Sequence, residues 1–110
     1  MAFITRAYPR FSVRCPMTYH AGLYQGAGTI SNLSLNGWRF SGDVPMRIGQ
    51  TFSMTVLLSH EESLFVVASI VRWRQGEEYG AESLVMSRET QRRLEQYIDH
   101  LTQDGGSRQN

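Results

Sequence analysis

A chain of 110 residues that is 41% apolar has material for one core in a single domain and is too apolar to stay disordered. A net charge of +1 argues against a coat for a nucleic acid polymer, and the absence of any Lys excludes the Gly-Lys-Ser/Thr phosphate loop. No apolar run reaches the roughly 20 residues that span a bilayer, MAFITRAYPR lacks the long apolar stretch of a secretory signal, and Cys15 has no second cysteine, so a cytoplasmic protein with no membrane insertion is expected.

Phe11, Val13, Cys15, Met17 and Tyr19 alternate with polar neighbours, which predicts a half-buried first strand with an edge or bulge at Pro16. Gly22 to Gly28 reads as a turn, Thr29 to Leu33 as a second strand, and Trp38 to Phe40 as a third beyond a hairpin at Asn32 to Gly37. Ser41 to Gly49 reads as a loop. TFSMTVLL then places Phe52, Met54, Val56 and Leu58 inward on a fourth strand. The β-branched run LFVVASIVRW forms a fifth strand, and Gln75 to Glu78 turns it into a sixth, YGAESLV. The period changes at the end: Leu94, Tyr97, Ile98 and Leu101 recur at helical spacing, with Ser87 as N-cap and Asp104-Gly105-Gly106 as the stop. The expected fold class is all-β with a C-terminal helix, a small six-stranded antiparallel barrel whose helix covers it.

His20, His60 and His100 are scattered, with neither paired-Cys nor His-Glu-x-x-His spacing, so no metal, no catalytic residues, no cofactor and no enzyme are expected. Two patterns stand out, Arg6-Ala-Tyr-Pro-Arg10 and Asn32-Leu-Ser34-Leu-Asn-Gly37. An Arg-x-x-x-Arg pair alone is weak, and Arg10 to Arg14 is a second match. Asn-x-Ser-x-x-Gly arises by chance in roughly one such chain in twenty.

In this order, one pattern before the first strand and the other in the hairpin after the second, they resemble the signature of the PilZ family. YGAESL is similar to that family's ending before its helix, with Leu84 where Phe is common, a change expected to affect packing only. The resemblance implies a six-stranded barrel with a C-terminal helix and a receptor for cyclic di-GMP. It also implies ligand contacts from Arg6, Arg10, Asn32, Ser34 and Gly37, with Arg14, Trp38 and Tyr8 as further candidates. An arginine fork suits phosphate oxygens and the guanine O6/N7 edge, and its plane stacks on a base. Asn32 suits capping or a guanine amine, Ser34 a phosphate or base, and Gly37 a positive φ or a close backbone approach. Trp38 departs from the family, which usually has a small residue there, and its alternation with Phe40 points it into the core.

Residues 1–10 are thus expected to be a flexible arm, 11–103 the barrel and helix, and 104–110 a disordered tail. The function expected is a receptor, a monomer or weak homodimer, that reshapes its arm on binding cyclic di-GMP and signals in trans to an effector protein. The alternative is an interaction module for motility or pilus machinery that works without nucleotide.

Overall fold

The computed structural model describes residues 8–103 and the backbone pairing of 108–109. Six antiparallel strands run in chain order as β1 (Arg10–Ala21), β2 (Tyr24–Leu33), β3 (Gly37–Gly42), β4 (Thr51–Leu57), β5 (Ser63–Gln75) and β6 (Glu78–Val85), followed by α1 (Arg88–Gln103). Neighbours run β2-β3-β6-β5-β4-β1, and β1 also pairs with β2, so the sheet closes into a barrel. Closure leaves none of these six strands with a bare edge for aggregation. A two-residue strand β7 (Arg108–Gln109) lies beside Arg10 and Phe11. This corrects the expectation of a structureless tail at those two residues; Asp104 to Gly106, expected to stop the helix, lie outside the described residues.

Alternation explains the interior. Cys15, Met17, Tyr19, Trp38, Phe40, Phe52, Met54, Val56 and Leu58 are all buried, each at an inward position of its strand or just past its end. Tyr19, Phe40, Phe52 and Tyr79 meet with ring centroids 5.3 to 6.1 Å apart. Burial of one such ring stabilises the fold by roughly 1.5–3 kcal/mol. The Tyr19 hydroxyl donates to the Val44 carbonyl at 2.6 Å and accepts from the Val44 amide at 2.8 Å, tying the β3–β4 connection to the core.

Strand bounds differ from expectation where glycines cluster. β2 begins at Tyr24, not Thr29, because the turn needs only Gly22 and Leu23, with Gly22 at φ +63°. Gly26 and Gly28 lie within the strand, where a Cβ would collide with the Tyr19 ring and the Ser41 carbonyl. They mark close packing between strands, not a loop.

Ser87 caps α1: its hydroxyl oxygen accepts from the Thr90 amide at 3.0 Å. Leu94 is fully buried and Tyr97 and Ile98 pack on the core, so the apolar helix face covers the barrel. Cys15 sits beneath it as a core residue, its Sγ 3.7 Å from the Tyr97 hydroxyl. Leu84 is half-exposed and is the extra β6 residue between Ser83 and Val85, which pair with Ser69 and Ala68. Among the described residues no helix is long and apolar enough to cross a membrane.

Candidate functional site

The β2–β3 hairpin carries most of the second sequence pattern. The Ser34 amide donates to the Gly37 carbonyl at 3.0 Å, closing the turn, and the Ser34 hydroxyl donates to Asn36 Oδ1 at 3.0 Å. The Ser83 amide donates to the Asn36 carbonyl at 3.0 Å and moors the turn to β6. Ser34 is buried and its hydroxyl is engaged within the turn. Its placement is that of a residue that shapes the hairpin.

Arg10, the first residue of β1, reaches across this hairpin: its Nε donates to Asn32 Oδ1 at 2.5 Å. Beneath its guanidinium lies Gly37, where a Cβ would stand 3.3 Å from Arg10 Nη1 and 3.4 Å from the Ala81 carbonyl oxygen. Of the two reasons offered for Gly37, close approach holds and positive φ does not, since only Gly22, Gly49 and Gly76 adopt it among the described residues. The fold thus brings Arg10, Asn32, Ser34 and Gly37 together, although 22 positions separate Arg10 from Asn32.

Five residues that sequence reasoning missed, Arg39, Arg72, Trp73, Gly80 and Ala81, complete the site. Arg10, Asn32, Trp38, Arg39, Arg72, Trp73, Gly80 and Ala81 line an outward-facing recess of about 320 Å³. Strand register explains the grouping. Asn32 pairs with Arg39, Arg39 with Gly80, and Gly80 with Trp73, a single row across β2, β3, β6 and β5. Two bulges put the outer members in this row. Ser31 is the extra residue between Ile30 and Asn32, and Arg72 is the extra residue between Val71 and Trp73. Each bulge reverses the alternation beyond it, so Asn32 and Trp73 leave the inward parity that Ile30 and Val71 set. Gly80 makes room, for a Cβ there would overlap the Trp73 indole. The outcome is an exposed tryptophan lying over backbone, with the Arg39 guanidinium 5.5 Å from its ring centroid.

The electrostatics favour an anion. Burial, and then the nearby positive charge of Arg39, hold the Arg10 guanidinium below its ordinary pKa. Two guanidinium groups that repel each other across a recess are relieved when a phosphate enters. Arg39 Nε donates to Glu78 Oε1 at 2.9 Å, and Arg72 donates to Glu82 Oε1 from Nε at 3.1 Å and from Nη2 at 2.6 Å.

Of the remaining candidates within the described residues, Trp38 lies at this recess and Arg14 and Tyr8 do not. Trp38 is buried as its alternation implied, and its Nε1 donates to Ser83 Oγ at 2.8 Å, so it floors the recess and does not block it. Arg14 is exposed and lines a separate recess of about 590 Å³ with Val13, Thr29, Ser31, Ser41 and Glu78. Tyr8 is half-buried and outside the residues lining the first recess. Arg6 lies outside the described residues. No group of His, Cys, Asp and Glu among the described residues is placed to hold a metal ion.

Comparison with known proteins agrees with this architecture. The inhibitor of motility MotI/DgrA from Bacillus subtilis superposes with a TM-score of 0.75 at 15% identity, over 93% of this chain and 53% of that one. The chain therefore spans about half the length of that protein. The PilZ domain of CeSA from a cellulose-synthesizing bacterium superposes with a TM-score of 0.67 at 11% identity, over 84% of this chain and 97% of that one. No curated protein matches the sequence. The PilZ domain family matches residues 4–100, nearly the whole chain, and the protein belongs to that family.

Proposed function

We propose that the protein is a receptor for cyclic di-GMP that binds the nucleotide in the recess beside Arg10 and passes the signal in trans to another protein. The observation that carries this reading is the contact of Arg10 with Asn32 above Gly37, which joins the two sequence patterns at the mouth of the recess. Cyclic di-GMP presents two phosphates and two guanines. The recess offers guanidinium forks for the phosphates and for the O6/N7 edge, and the Trp73 face for stacking. Arg6, on the segment before Tyr8, is the natural second fork of the pair. Binding that recruits this segment to the recess alters the surface around β1, and an effector protein reads that change. The described residues supply a single barrel and helix, so the reading requires no chemistry from the protein itself.

The reading is tested by calorimetric titration of cyclic di-GMP into the wild type and Arg10→Ala. Micromolar binding to the wild type and its loss in the variant is the expected result. Absence of heat with the wild type would favour the nucleotide-independent interaction module. Trp38, where the family usually has a small residue, leaves the recess open because its indole is buried in the barrel.

A further inference from the structure

The outer face of β6 carries Glu78, Gly80 and Glu82 at a spacing of two, so one carboxylate flanks each side of the glycine beneath Trp73. Each neutralises one arginine of the recess. Glu78 accepts from Arg39 at 2.9 Å, and Glu82 accepts from Arg72 through two nitrogens, the shorter at 2.6 Å. All four side chains are about half-exposed, between 43% and 54%, so these pairs are open to exchange with a competing anion. Arg10 is in a different state, since its hydrogen-bond acceptor is the neutral amide of Asn32. The recess therefore holds one arginine not paired to a carboxylate among the described residues and two arginines already occupied by carboxylates.

A guanidinium accepts carboxylate and phosphate oxygens in the same forked geometry. From this we infer that Glu78 and Glu82 are internal competitors for Arg39 and Arg72, which hold down the affinity of the recess for anionic ligands. Resting on the proposed nucleotide reading, the inference adds an order of events. A phosphate meets Arg10 first, and Arg39 and Arg72 join only as their carboxylates are displaced. A weak half-exposed pair is suited to this role, because it keeps each side chain oriented near the recess and is readily exchanged. Affinity is thereby set by residues that need not touch the ligand.

The test is titration of Glu78→Gln, Glu82→Gln and Glu89→Gln with two probes, cyclic di-GMP and inorganic pyrophosphate, at low and at moderate salt. Glu89 pairs with Arg92 on α1, and its replacement makes the same change in net charge away from β6. Melting temperatures check that all three variants fold. Glu78→Gln and Glu82→Gln are expected to tighten binding two- to fivefold each, about 0.4–1 kcal/mol, with a steeper loss of affinity as salt is added, while Glu89→Gln matches the wild type. Equal tightening in all three would reduce the effect to net charge and overturn the inference. So would unchanged or weaker binding in the two β6 variants, because the carboxylates would then organise the arginines or contact the ligand. If cyclic di-GMP binds none of the proteins but pyrophosphate separates the β6 variants from Glu89→Gln, the nucleotide reading fails and the competition stands. If neither probe binds, both fail; if cyclic di-GMP binds every protein alike and pyrophosphate does not separate them, the competition fails and the nucleotide reading stands.

Discussion

Replacing Gly37 by Ala should separate ligand binding from folding. The backbone at Gly37 does not require a positive φ, so alanine is admissible there, and the loss of glycine's freedom in the unfolded chain is worth about 0.4–1 kcal/mol in favour of the fold. Against this stands the new methyl group, 3.3 Å from Arg10 Nη1, 3.4 Å from the Ala81 carbonyl oxygen and 3.6 Å from Ser34 Oγ. The backbone distance is ordinary contact and the tight one is to the far end of a long side chain, so Arg10 yields and the barrel does not. The two terms nearly cancel in stability, and a residual of about 0.5 kcal/mol corresponds to roughly 2–4 °C in melting temperature. Binding has no such compensation. Displacing Arg10 from Asn32 forfeits one forked contact, worth about 1–3 kcal/mol, or roughly a 5- to 150-fold loss of affinity for cyclic di-GMP. Thermal melting and calorimetry on the same sample measure both. A drop of more than about 8 °C, or unchanged affinity, would refute the view that Gly37 exists to seat Arg10.

Other consequences are as direct. Ser87→Ala removes the cap of α1 and leaves the Thr90 amide unsatisfied, so a loss of about 1 kcal/mol, some 4–8 °C in melting temperature, is expected with affinity for cyclic di-GMP unchanged. In a Trp38→Phe background the remaining tryptophan, Trp73, should lose fluorescence on titration with cyclic di-GMP if a base stacks on it, and Trp73→Ala should weaken binding while leaving the melting temperature within about 3 °C, since the ring is 40% exposed. Alkaline pH should destabilise the fold. Burial raises the pKa of the Cys15 thiol and of the Tyr19 and Tyr97 hydroxyls, so their protonated forms favour the folded state fully below the ordinary values near 8.5 and 10, and that stability is lost as pH climbs beyond them. Melting temperature is expected to be level from pH 7 to 8 and to fall from about pH 9 upward, with a shallower fall in Tyr97→Phe; a profile rising through pH 10 would contradict it.

Much of this protein was legible in the chain because period-two alternation survives in the segments that matter to the core. Phe52, Met54, Val56 and Leu58 are buried as their spacing demands, and so are Cys15, Met17 and Tyr19. Ser87 before a helical repeat marked a cap that the structure contains. The pairing of Arg10 with the Asn32-to-Gly37 hairpin was suggested by motif order, and its geometry fits. Alternation misleads wherever a bulge inserts a residue. In the run ending Ile70-Val71-Arg72-Trp73, strict alternation sends Trp73 inward beside Val71, whereas the extra Arg72 turns it outward over Gly80. Glycines at Gly26 and Gly28 read as a turn for a related reason, since local chemistry cannot distinguish a glycine that bends the chain from one that admits a neighbouring strand.

The sequence by itself determined the strands, the helix, the inward residues and the pattern that marks the family, because each depends on residues within a few positions of one another. Tertiary structure alone decided that Asn32, Arg39, Gly80 and Trp73 share one row, and that Arg72 stands beside it held by Glu82. That assembly depends on register between strands distant in the chain, and two inserted residues, Ser31 and Arg72, set it by reversing which face each strand turns to solvent.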